Sequence, residues 1–139
     1  MGRILAIDYG LKRVGIAVTD KEHIIATPLT TIENKDLISF LKTYFNTEPV
    51  DTIVIGLPQD ITTNSDIVKA INNLQEDLKC IFKNKNIITI DERYTSKIAT
   101  FLLNNYSTKR KQRRDKKNID KISAAIILQS YLNLRKKLE

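Results

Sequence analysis

At 139 residues the chain has the length of one domain, and with 42% hydrophobic residues it can build a core. A net charge of +7 and a pI near 9.5 point to a polyanionic partner, nucleic acid first and an anionic membrane surface second. The single cysteine, Cys80, and the single histidine, His23, exclude an intramolecular disulfide, a thiolate zinc cluster and a histidine zinc triad.

Arg3 to Ile7 is a short apolar run that reads as a buried strand, and Asp8 follows at its end. Side chains alternate along a strand, so Ile4, Ala6 and Asp8 share a face. Gly10, Lys12 and Arg13 make a turn, and Val14 to Val18 returns antiparallel. A carboxylate at the edge of a core is costly unless partnered. Asp8 either caps the turn or pairs with Lys12 or Arg13, or it holds a metal ion; this stretch leaves the readings open.

His23 reads as a surface turn residue. Ile24 to Thr31 reads as a third strand with Pro28 near its end or at a sheet edge. Leu37, Phe40, Leu41 and Tyr44 recur at helical spacing in an amphipathic helix over 36–45, which Pro49 stops. Thr52 to Gly56 is a continuous apolar run, as in a strand covered on both faces. After a polar loop, Asn64 or Ser65 caps a second helix with the stripe Ile67, Ala70, Ile71, Leu74 and Leu78. Cys80, near its end, reads as a small core residue. Ile87 to Ile90 is a strand that leads into Asp91, Glu92 and Arg93. Thr95 or Ser96 caps a short helix with Ile98, Ala99, Leu102 and Leu103 on its apolar face. Residues 104–118 show no periodicity, and a long helix runs from Ile119 to about Lys137.

This order predicts an α/β fold: a mixed five-stranded sheet, three antiparallel strands followed by parallel additions, flanked by helices. Open sheets bind ligands at the carboxyl ends of their strands. Asp8 ends the first strand and Glu92 the last, so one rim can hold both. Asp120 starts the final helix, and its face continues through Ser123, Ala124 and Ile127, small enough for close approach to a sheet. Singly, Asp120 also suits the positive end of a helix. Three acids at one rim repel one another without cations. Oxygen ligands without His or Cys favour Mg²⁺ or Mn²⁺, and two ions about 4 Å apart suit phosphodiester displacement. Spacing alone does not choose between Asp91 and Glu92.

The segment 108–117 carries seven cations, Lys109, Arg110, Lys111, Arg113, Arg114, Lys116 and Lys117, against one acid, Asp115. Such runs are usually solvated surface, but this one leads directly into Asp120 and can hold substrate phosphates near it. Lys12, Arg13 and Arg93 add nucleic-acid contacts or balance the charge of Asp8, Asp91 and Glu92; the two readings weigh equally. No apolar run approaches the roughly 20 residues that cross a bilayer, and the chain opens on a strand pattern without an apolar signal stretch. The expectation is a soluble cytoplasmic protein with no membrane partner.

Four stretches carry a resemblance. Asp8-Tyr-Gly10-Leu-Lys12-Arg13-Val-Gly15-Ile-Ala17 with Asp20, then Gly56-Leu-Pro58, then Asp91-Glu92-Arg93-Tyr-Thr95, then Ile119-Asp120 through Ala125 to Gln129 and Leu132 resemble, in order, the motifs of the YqgF family, also called RuvX. The resemblance implies a ribonuclease H-like fold over residues 1–139, related to the RuvC junction resolvases. It implies Asp8, Glu92 and Asp120 as metal-binding catalytic acids, and a bacterial nuclease that processes the 5′ end of precursor 16S ribosomal RNA. Some family members are described instead as Holliday-junction resolvases, which predicts a homodimer rather than a monomer. The chain departs from the family after Pro58, where Gln59-Asp60-Ile61-Thr62-Thr63 replaces an Asn-Met-Asp-Gly-like loop, and at Ser123, where alanine is usual. Two rival readings are a non-catalytic RNA-binding factor of ribosome assembly, which leaves the three acids without a purpose, and an actin-like ATPase, which needs two such domains.

Overall fold

The structure, a computed structural model, describes residues 2–57, 65–91 and 116–138. Its framework is one five-stranded sheet of order β3-β2-β1-β4-β5. The strands are β1 (Arg3–Tyr9), β2 (Arg13–Thr19), β3 (Ala26–Glu33), β4 (Val50–Leu57) and β5 (Asn86–Asp91). β1, β2 and β3 pair antiparallel, and β4 and β5 join β1 in parallel. This is the expected mixed sheet. A single 3₁₀ turn (Asn34–Asp36) leads from β3 into α1 (Leu37–Thr47); α2 is Ser65–Ile81 and α3 is Lys116–Leu138. The short helix expected after Thr95 and the loop after Gly56-Leu-Pro58 lie outside the described residues, Gly56 and Leu57 apart.

The sheet is covered on both faces because its strands alternate two apolar sets. Leu5, Ile7, Val14, Ile16, Ile53 and Ile55 point one way and pack with Leu37 and Leu41 of α1 and Ile71, Leu74 and Leu78 of α2. Ile4, Ala6, Ala17, Ala26, Val54 and Ile90 point the other way and pack with Ala124, Ala125, Ile127, Leu128 and Leu132 of α3. Each fully buried Leu or Ile contributes about 1.5–3 kcal/mol of transfer free energy.

Two local expectations are corrected. Cys80 is exposed rather than a core residue. It stands two positions past Leu78, roughly 200° around the helix from the buried stripe. β3 begins at Ala26 rather than Ile24, and Ile24 and Ile25 are exposed. The Asp20 carboxylate explains this: Oδ1 accepts the backbone N–H groups of Ile24 (2.7 Å) and Ile25 (3.0 Å), holding both in the turn. These bonds keep the Asp20 carboxyl below the usual range, the Ile25 bond first. His23 in that turn has φ 60° and is half-buried, with Nε2 2.6 Å from the Gly2 carbonyl oxygen.

Candidate functional site

Asp8 stands at the carboxyl end of β1 on the face that α3 covers, in alternation with Ile4 and Ala6. Its cross-strand partner in β2 is Gly15. That pairing decides the geometry. A Cβ built on Gly15 would collide with the backbone carbonyl of Asp120, so only glycine lets the first turns of α3 rest on β2. Ala17, next on the same face, and Ala124 and Ala125 keep the two backbones close further along. The small face expected for α3 is therefore present, and its counterpart on the sheet is equally small.

The close approach brings Asp120 beside Asp8. Burial, and after it the charge of Asp120, push the Asp8 carboxyl up to about 6. Among the described residues Asp8 has no ion pair, so of the readings left open the pairing with Lys12 or Arg13 is absent. Arg13 instead reaches Asp120, with Nε 3.3 Å from Oδ2. Both side chains are about one-third exposed or less, 33% and 28%. Asp120 thus has a counter-charge within the chain, whereas Asp8 has none among the described residues.

Of the remaining expected site residues, Glu92, Arg93, Lys109, Arg110, Lys111, Arg113 and Arg114 lie outside the described residues. Lys116 and Lys117 open α3. Lys12 lies in the turn between β1 and β2 and is exposed. Asp91 closes β5, and Ile90 packs on the α3 face. Among the described residues no group of three His, Cys, Asp or Glu side chains gathers; Asp8 and Asp120 are the acids brought together.

Two features escaped the sequence. The Arg13–Asp120 pair spans 107 positions, and no local spacing announces it. Asn34 also has a role no periodicity shows: its Nδ2 donates to the Gly10 carbonyl (2.7 Å) and its backbone N–H to the Lys12 carbonyl (3.0 Å), tying the β1–β2 turn to the end of β3. The polar residue directly after a strand was the available signal.

The arrangement offers two carboxylates at a sheet rim with cations close by. Oxygen donors, one of them half-buried without an ion-pair partner among the described residues, suit a hard divalent cation better than zinc. No described helix is long and apolar enough to cross a membrane.

Comparison with known proteins bears on the family and the fold. The family described as RuvX: Holliday junction resolvase matches residues 2–134. A protein of Amoebophilus asiaticus is 51% identical over 138 residues, covering 99% of this chain and 98% of its own. One of Flavobacterium johnsoniae is 45% identical over 137 residues, covering 98% and 99%. Both are provisionally named pre-16S rRNA nuclease. Among solved structures, T. thermophilus RuvC in complex with Holliday junction substrate matches with a TM-score of 0.65 over 97% of each chain at 11% identity. At that identity the likeness concerns the fold, which is ribonuclease H-like.

Proposed function

The chain belongs to the RuvX family, and on that premise we propose that it is a divalent-metal-dependent nuclease, one domain over residues 1–139, that trims the 5′ end of precursor 16S ribosomal RNA in the cytoplasm. The observation that carries the reading is the approach of Asp120 to Asp8 across Gly15. Asp8, Asp120 and Glu92 are the metal ligands; Ile90, two positions before Glu92, packs on the same face of the sheet as Asp8. Mg²⁺ or Mn²⁺, as a pair of ions, fits this donor set. When bound, the metal supplies charge stabilisation and Lewis acidity for in-line displacement at phosphorus.

The chain's own residues prepare that chemistry. Partial burial makes an uncompensated charge on Asp8 costly, a cost that a bound cation would relieve. Arg13 neutralises Asp120 and stands ready for a substrate phosphate. The cations of 109–117 draw the polyanion to the rim and make binding salt-dependent. The products carry a 5′-phosphate and a 3′-hydroxyl.

The family description favours one second reading, resolution of a four-way DNA junction. It requires two symmetrical cuts and therefore a homodimer. The deciding experiment is a Mg²⁺-dependent cleavage assay that sets precursor rRNA against a synthetic junction, with Asp120→Asn alongside and mass measured in solution. Cleavage of rRNA by a monomer, lost in Asp120→Asn with binding retained, supports the nuclease reading. Cleavage of neither substrate, or full activity in Asp120→Asn, overturns it.

A further inference from the structure

A concave feature is linked to the carboxylates through Arg13. It is a cavity of about 530 Å³ between the β1–β2 turn and the end of β3, within the roughly 300–1,000 Å³ of sites that hold small molecules. Its walls are preformed. Asn34 fastens the two segments by the two hydrogen bonds described above. Gly10 keeps the turn tight, because a Cβ there would lie 2.5 Å from the Arg13 carbonyl oxygen.

Three cations, Lys12, Arg13 and Lys35, face one carboxylate, Glu33. Lys35 Nζ pairs with Glu33 Oε2 at 3.2 Å, but their side chains are 78% and 63% exposed. So exposed a pair binds weakly, and a phosphate can exchange for Glu33 on Lys35. Leu11, 58% exposed, and Ile32, partly buried, supply an apolar wall. A protruding leucine beside lysines suits a ligand that is part anion and part flat apolar ring. Arg13 lines this cavity and also pairs with Asp120, so one side chain joins the cavity to the acid pair.

We infer that this cavity seats the nucleotide next to the scissile phosphate, with its phosphate on Lys12 and Lys35 and its base against Leu11 and Ile32. The inference rests on the nuclease reading and adds to it a subsite on the β3 side of the sheet, opposite the strands that lead to Glu92.

The test is equilibrium binding of a short labelled oligoribonucleotide in chelator, so that turnover plays no part. It compares wild type, Lys35→Glu, Leu11→Ser and, as a control for general charge, Lys42→Glu on α1. The same series is run on a fully abasic strand. All three positions are exposed, and circular dichroism checks the fold. Lys35→Glu should weaken binding roughly tenfold and lower the salt slope by about one, on either strand. Leu11→Ser should weaken binding of the intact strand several-fold and leave the abasic strand unchanged, while Lys42→Glu changes neither appreciably. Wild-type affinity in both cavity variants, or an equal loss in Lys42→Glu, overturns the subsite while wild-type cleavage keeps the nuclease reading standing. A loss in Lys35→Glu alone overturns the nucleotide assignment and leaves a phosphate contact. A wild-type protein that neither binds nor cleaves removes the nuclease reading and the subsite with it.

Discussion

The two faces of the sheet are built to different specifications. The face toward α1 and α2 is filled by large branched side chains: Leu5, Ile7, Ile16, Ile53 and Ile55 meet Leu41, Ile71 and Leu78, all essentially inaccessible. The face toward α3 mixes small residues, with Gly15, Ala6, Ala17 and Ala26 meeting Ala124 and Ala125, among larger ones such as Ile4, Ile127 and Leu128. A thick apolar layer buries area and spaces backbones apart. A thin one buries less per residue but fixes how two backbones sit. The candidate site lies on the thinner face, and the thick face supplies stability that lets a half-buried, unfavourable carboxylate persist.

The contrast is broken most directly at Asp8. Asp8→Asn should lower Mg²⁺-dependent turnover by about 10³-fold, the scale of losing a group that acts on transition-state charge, while nucleic-acid binding survives or tightens. In the same variant the metal-free protein should melt higher than wild type at neutral pH; a lower melting temperature would show that Asp8 is a structural partner after all. On the thick face, Leu78→Ala should cost about 2–5 kcal/mol in denaturant unfolding through the cavity it leaves. Its kcat, measured below the transition, should stay at the wild-type value, because no acid moves.

The titration of Asp8 gives the next effect. Its folded-state carboxyl titrates near 6, above the ordinary value of 3.8. The native state therefore binds the extra proton between those limits, and metal-free stability should fall as pH rises through that window. The shift corresponds to about 3 kcal/mol, present as a penalty above pH 6 and gone below pH 4. Chemical denaturation across pH 4–7 should show this slope for wild type and lose it in Asp8→Asn; saturating Mg²⁺ should flatten it. Smallest in stability is Gly15→Ala, about 1–3 kcal/mol for overpacking. Unlike Leu78→Ala, it should cut turnover out of proportion to its cost in stability, because the added methyl meets the Asp120 carbonyl. Equal kcat in the two variants would erase the distinction between the faces.

The framework was legible because its signals are local. Alternation in β1 placed Ile4, Ala6 and Asp8 together, the stripe of α2 predicted buried Ile67, Ile71, Leu74 and Leu78 with Ala70 only half-buried, and the order of elements implied the mixed sheet. Ends were less legible where a side chain overrides propensity: the Asp20 carboxylate holds two isoleucines out of β3 that their β-branched character would have placed in it. Cys80 misled because composition favours burial, whereas its angle on the helix decides. In the site, the small face of α3 was visible in Ser123, Ala124 and Ile127. That Gly15 is its seat, and that Arg13 pairs with Asp120 rather than Asp8, follows from strand order and packing, which no spacing encodes.

The span between Arg13 and Asp120 also has a bearing on synthesis. A growing polypeptide that has emerged only through β5 already owns Asp8 and the whole of its sheet, yet lacks the helix that supplies the second acid. On the proposed assignment of Asp120, the pair of acids is therefore completed last, when α3 docks onto a sheet that is already whole.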